Sequence, residues 1–114
     1  MNTLPELREL NRSPKQNYRT LIANLDTENL PGSHWVGIFE KNDKIEIFDS
    51  FGTPPPPLLQ AWAARNSTSY IFKDYVIQHP LAETCGYYAL IFTVARPCFD
   101  DYDCTVAYIK CLNI

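Results

Sequence analysis

The chain is short of positive charge. Ten lysines and arginines stand against 13 aspartates and glutamates in 114 residues, a net charge of −3 at pH 7. Affinity for phosphate backbones comes mainly from clustered Lys and Arg, so this balance argues against an extensive nucleic-acid footprint. Lys41, Lys44 and Lys73 are scattered among acids and read as ordinary solvated surface; the only run of like charge is the short acidic stretch Asp100, Asp101 and Asp103. Met1 to Arg12 contains Glu6, Arg8 and Glu9 and no uninterrupted apolar stretch, so it reads as neither a signal peptide nor a membrane span. An intracellular protein is expected, neither secreted nor held in a membrane.

Other scarcities narrow the chemistry. There are two histidines, and the spacing of Cys98, Cys104 and Cys111 lacks the close Cys pairs of the usual zinc patterns, so no metal is expected. Without a secretory signal, the four cysteines are treated as free thiols. Cys98, Cys104 and Cys111 are expected to be buried small hydrophobes. With 4 glycines, 46% hydrophobic and 13% aromatic residues, the chain reads as one compact domain over 1–114 with its own core.

Ser13-Pro14-Lys15-Gln16 has the form of a helix start, with Tyr18, Leu21, Ile22 and Leu25 at helical spacing after it. Residues 26–33, with Pro31-Gly32, read as a loop. Trp35 to Phe39 and Ile45 to Phe51 read as two strands of an antiparallel hairpin. A two-residue turn at Asn42-Asp43 pairs Lys41 with Lys44, sets Val36 opposite Asp49 and His34 opposite Phe51, and makes His34 and Asp49 diagonal neighbours on one face. A three-residue turn would send them to opposite faces. Pro54 to Pro57 is read as a stiff connector, Leu58 to Arg65 as a short helix, and Tyr70 to Ile77 as another strand ended by His79-Pro80. Cys85 to Val94 is apolar on nearly every side and reads as a buried helix ending before Arg96-Pro97. Asp101 to Ile114 suits helix or strand, with helix favoured.

Cys85 is thus placed at a helix N-terminus, where exposed N–H groups and the macrodipole favour a thiolate. Gly86 leaves room for a substrate backbone and for a main-chain N–H aimed at an oxyanion. A cysteine nucleophile also needs a base, a group that orients the base, and an oxyanion donor. His34, Asp49 and Gln78 have those chemistries in a suitable order. Each alone has a plainer reading: a structural histidine on a half-apolar strand, a turn carboxylate, a cysteine that packs. His79 is a competing base but adjoins Pro80 and has no paired acid nearby.

The ordered set Gly32-Ser33-His34-Trp35, Phe48-Asp49-Ser50-Phe51-Gly52, Gln78 and Cys85-Gly86-Tyr87 resembles the adenovirus-type maturation proteases, the adenain family, over roughly Ser13 to Val94. The resemblance implies an α+β, papain-like cysteine-protease fold, a small antiparallel-containing sheet packed on a central helix that begins at Cys85. It implies His34 as general base and acid, Asp49 as its orienter, Gln78 as oxyanion donor, Cys85 as nucleophile, and Trp35 as a wall that favours glycine-like residues before the cut. The chain is shorter than the adenovirus enzyme, and its acid is Asp where that enzyme has Glu. The peptide and DNA that activate the adenovirus enzyme are not carried over as cofactors; an activating peptide stays open as a partner, and the acidic balance argues against DNA.

The expected activity is that of a monomeric viral endopeptidase cutting structural precursors in an infected cell or virion. The alternatives are a deconjugating protease for SUMO- or ubiquitin-like tails, a thiol acyltransferase, and a non-enzymatic binding module in which these residues merely pack.

Overall fold

The computed structural model describes residues 7–13, 17–25, 34–77 and 85–112. It is an α+β fold in which one mixed sheet carries helices on both faces. The strands β1 (Leu7–Ser13), β2 (Tyr18–Asn24), β3 (Trp35–Lys41), β4 (Lys44–Phe48) and β5 (Ser69–Phe72) lie in the order β1-β2-β3-β4-β5. The first four form an antiparallel meander. Helix α1 (Pro57–Asn66) then carries the chain across, and β5 joins β4 in parallel. Helix α2 (Cys85–Ala95), a 3₁₀ turn over Arg96–Cys98 and helix α3 (Tyr102–Cys111) complete the described chain.

Strand alternation divides the core in two, because successive side chains point to opposite faces. Leu21, Ala23, Val36, Ile38, Ile45 and Ile47 face α1 and pack with Leu59, Trp62 and Ala63. Phe39 and Phe48 face the other way and pack with Tyr88 and Phe92 of α2 and Tyr102, Val106 and Ile109 of α3. The Phe48 and Phe92 rings stack at 4.7 Å between centroids. Gly37 lets α2 approach β3: a Cβ there would lie 3.0 Å from both the Ala89 carbonyl oxygen and Phe92 Cδ2.

The chain turns between β3 and β4 on Asn42 and Asp43, with φ of 53° and 65°. Both lie in the left-handed region, as a two-residue hairpin turn requires. Lys41 pairs with Lys44 and Gly37 with Phe48, the register expected from the sequence. Helix α1 begins one residue before the expected start, aided by Pro57 at its first position, and α3 takes the helical alternative with Asp101 as N-cap accepting from the Cys104 N–H at 2.8 Å.

Three expectations are corrected. Residues Tyr18–Asn24 form β2, not a helix. Tyr18, Thr20 and Ile22 are β-prone residues, and Leu21 and Ala23 bury a single face by alternation, so pairing with β3 satisfies the backbone while filling the core. Asn17, with φ of 55°, leads into β2 where the helical reading needs right-handed backbone. Secondly, Cys98, Cys104 and Cys111 are free but exposed. Helix α3 turns Tyr102, Thr105, Val106 and Ile109 inward, and the two cysteines on it fall on its outer side. Thirdly, the strand expected over Tyr70 to Ile77 is shorter, ending at Phe72. The loop expected over residues 26–33 and the His79-Pro80 stop lie outside the described residues.

Candidate functional site

At the open end of the β3–β4 hairpin, His34 Nε2 lies 2.7 Å from Asp49 Oδ2. Hairpin register produces this contact. Continuing the Gly37–Phe48 pairing by one and three steps sets Val36 opposite Asp49 and His34 opposite Phe51. The His34 and Phe51 rings do stack, 5.2 Å apart and 13° from parallel, which fixes the plane of the imidazole. The Leu25 N–H donates to the His34 carbonyl at 2.7 Å and pins the backbone there.

Asp49 is 2% exposed, so its carboxylate needs internal partners to offset lost hydration. Both oxygens have one. Oδ2 meets the imidazole, and Oδ1 accepts the Phe51 N–H at 2.8 Å. The Gly52 N–H donates to the Asp49 carbonyl at 3.0 Å and closes the turn, with Gly52 at φ 73°. That turn is fastened to the segment leading toward Gln78: the Ile77 N–H donates to the Ser50 carbonyl at 2.9 Å. A Cβ on Gly52 would lie 2.9 Å from the Asp74 carbonyl oxygen and from Val76 Cγ2, so glycine is required by conformation and by space.

Cys85 is the first described residue of α2, and no acidic residue lies in the turn it begins. The next residue, Gly86, sits against Trp35: a Cβ at Gly86 would be 3.2 Å from Trp35 Cδ1. The first turn of α2 is therefore held beside the residue that follows His34. Of the expected site residues, His34 and Asp49 are in direct contact, Trp35 and Gly86 are in contact with each other, and Cys85 lies next to Gly86 in α2. Gln78 lies outside the described residues, one position beyond Ile77.

Sequence reasoning assigned no part to Ser50 or Phe51. Phe51 supports the imidazole and Ser50 anchors the strand end through its carbonyl; the hairpin register, which set Phe51 opposite His34, was the signal for the first. With Nε2 committed to Asp49, Nδ1 is the imidazole nitrogen left for a proton from a nucleophile. Among the described residues no group of three or more His, Cys, Asp and Glu side chains is placed to hold a metal ion, and no helix is long and apolar enough to cross a membrane.

Comparison with protein-family models, with curated proteins and with solved structures gave no significant match.

Proposed function

We propose that the chain is a cysteine endopeptidase of the adenain kind, with the papain-like arrangement that reading implies. The observation that carries it is the His34–Asp49 pair at 2.7 Å, with the carboxylate buried and doubly hydrogen-bonded beside the Trp35–Gly86 contact that brings in the first turn of α2. A buried carboxylate that fixes an imidazole tautomer is the orienting half of an acyl-transfer site.

In the proposed reaction the Cys85 thiol passes its proton to His34 Nδ1, and the sulfur attacks the scissile carbonyl carbon. Asp49 stabilises the imidazolium so formed. The Gln78 amide and main-chain N–H groups at the start of α2 hold the oxyanion of the tetrahedral intermediate, a contribution on the order of 3 kcal/mol per donor. His34 then gives the proton to the leaving amine, and the Cys85 acyl-enzyme is hydrolysed by water activated at the same nitrogen. Trp35, standing at Gly86, narrows the approach and favours small residues before the cut. The proposed substrates are structural precursor polypeptides of a virus, met in the infected cell or virion by a monomeric enzyme; an activating peptide is a candidate partner.

The test is intact-protein mass spectrometry after incubation with a peptide vinyl sulfone ending in Gly-Gly. One adduct at Cys85, lost in His34→Ala and Cys85→Ser, is the expected outcome. Absence of any Cys85 adduct, with and without viral peptide extracts, would remove the reading.

A further inference from the structure

At the far end of the hairpin, about 20 Å along β3 from His34, lies a cavity of about 190 Å³ lined by Phe39, Lys41, Asn42, Lys44, Glu46 and Arg96. Its walls follow from the register. Phe39, Lys41, Lys44 and Glu46 fall on the α2 face of the sheet, and Arg96 reaches them from the turn after α2. Arg96 is 7% exposed and lies 4.4 Å over the Phe39 ring. Its Nε and Nη2 donate to the two Glu46 carboxylate oxygens at 2.5 and 2.9 Å, and its Nη1 donates to the Phe99 carbonyl at 2.9 Å. A guanidinium has five N–H donors, so two remain.

The mouth of the cavity holds an arrangement that costs stability. Lys41 and Lys44 are a directly opposed cross-strand pair, and like charges in that position repel. Both are exposed, and among the described residues neither is within ion-pair distance of an acid, whereas Arg19, Lys73 and Arg96 each have a carboxylate partner. Counting the lining groups, three cations against Glu46 leave a charge of +2 in a chain whose total is −3. What reads in the sequence as scattered lysines is a pair of ammonium groups gathered with Arg96 on one cavity once the turn folds; Asp43 in the turn and Asp101 near Arg96 are not among the lining residues.

We propose that this cavity binds a phosphoryl group, the dianion of a phosphomonoester. Such a group carries a charge of about −1.5 to −2 at neutral pH and three acceptor oxygens. It matches two ammonium groups with the remaining Arg96 donors, and its charge cancels the Lys41–Lys44 repulsion. Glu46 serves as the fixed counter-ion that holds the Arg96 plane against Phe39. A single carboxylate, with one charge, leaves half of that field unmatched.

The experiment is a ¹⁵N-correlation NMR titration of the full chain with inorganic phosphate, with ionic strength held constant by sodium chloride. The expected result is saturable shifts centred on residues 41–46 and on the Arg96 side chain. In the double variant Lys41→Gln, Lys44→Gln the dissociation constant should rise at least about tenfold, the ratio for losing one charge-assisted hydrogen bond. Both lysines are exposed, and the spectrum itself reports that the variant is folded. Parallel titrations with O-phosphoserine and AMP distinguish a phosphorylated side chain from a nucleotide, according to which binds more tightly than phosphate. Non-saturating shifts to about 20 mM, acetate binding as tightly as phosphate, or an unchanged constant in the double variant would each overturn the proposal.

Discussion

Replacing Asp49 by asparagine leaves the volume almost unchanged and alters one count: the carboxylate accepts two hydrogen bonds, from the imidazole and from the Phe51 N–H, and an amide has one oxygen. In Asp49→Asn the oxygen stays on the Phe51 N–H, whose geometry the 49–52 turn fixes, and the amide NH₂ faces His34. The imidazole can then satisfy that donor only by presenting Nε2 as an acceptor and carrying its proton on Nδ1. A hydrogen bond to an ionised group contributes about 1.5–3 kcal/mol, so the native pair should favour the Nε2–H tautomer by roughly tenfold to a hundredfold. Asparagine should reverse that preference. The assay is long-range ¹H–¹⁵N correlation of the imidazole in histidine-labelled protein, where the two tautomers give different nitrogen shifts. In wild type the Nε2–H pattern is expected for His34; in Asp49→Asn, the Nδ1–H pattern, with alkylation of Cys85 slowed because the base nitrogen is blocked. Retention of the Nε2–H tautomer in the folded variant would refute the claim that Asp49 sets it.

Glu46→Ala strands the largely buried Arg96 guanidinium, so urea unfolding should show a loss of about 3–5 kcal/mol, against less than that for the double variant Glu46→Gln, Arg96→Met, which leaves neither charge unpaired. Phe92→Ala empties a fully buried position between Phe48 and Tyr102 and should cost about 3–5 kcal/mol by the same assay, with α2 the first element to lose amide protection in hydrogen exchange. Hydrogen bonds from Lys73 and Tyr75 hold the Asp103 carboxyl below its ordinary pKa of 3.8, so its contribution to stability is present above that value and is lost as pH falls through the lowered one. The stability difference between wild type and Asp103→Asn, followed by urea midpoints, should therefore be constant near neutral pH and shrink only on the acid side; a difference that grows on acidification would contradict the assigned cause.

The site was legible where a local rule fixed geometry. The Asn42-Asp43 turn determined the register, and the register alone brought His34 to Asp49 and set Phe51 against the imidazole. The helix from Cys85 to Ala95 followed from the unbroken apolar run ended by Arg96-Pro97, but its burial did not: Tyr87, Leu90 and Val94 are exposed, because only one side of α2 meets the sheet and α3. The first half of the sheet was not legible in this way. Tyr18, Leu21, Ile22 and Leu25 fit helical spacing as well as strand alternation, and Ser13-Pro14 carries the chemistry of a helix start, so only pairing with β3 decides between them. Nor was the exposure of the three late cysteines: which side of α3 is buried depends on where the aromatic cluster of Phe39, Phe48 and Phe92 lies, and that is a property of the assembled sheet. The helices on opposite faces of the sheet likewise depend on the α1 crossover that makes β5 parallel to β4.

The central claim is that Cys85 and His34 act as one activated pair. The most direct test is the pH dependence of iodoacetamide alkylation, resolved by cysteine with mass spectrometry, in wild type and His34→Ala. The account predicts rapid labelling of Cys85 near neutral pH, ahead of the exposed Cys98, Cys104 and Cys111, and a slowing in the variant to the rate of those three. Cys85 labelled no faster than the exposed thiols in wild type, or unaffected by His34→Ala, would contradict it.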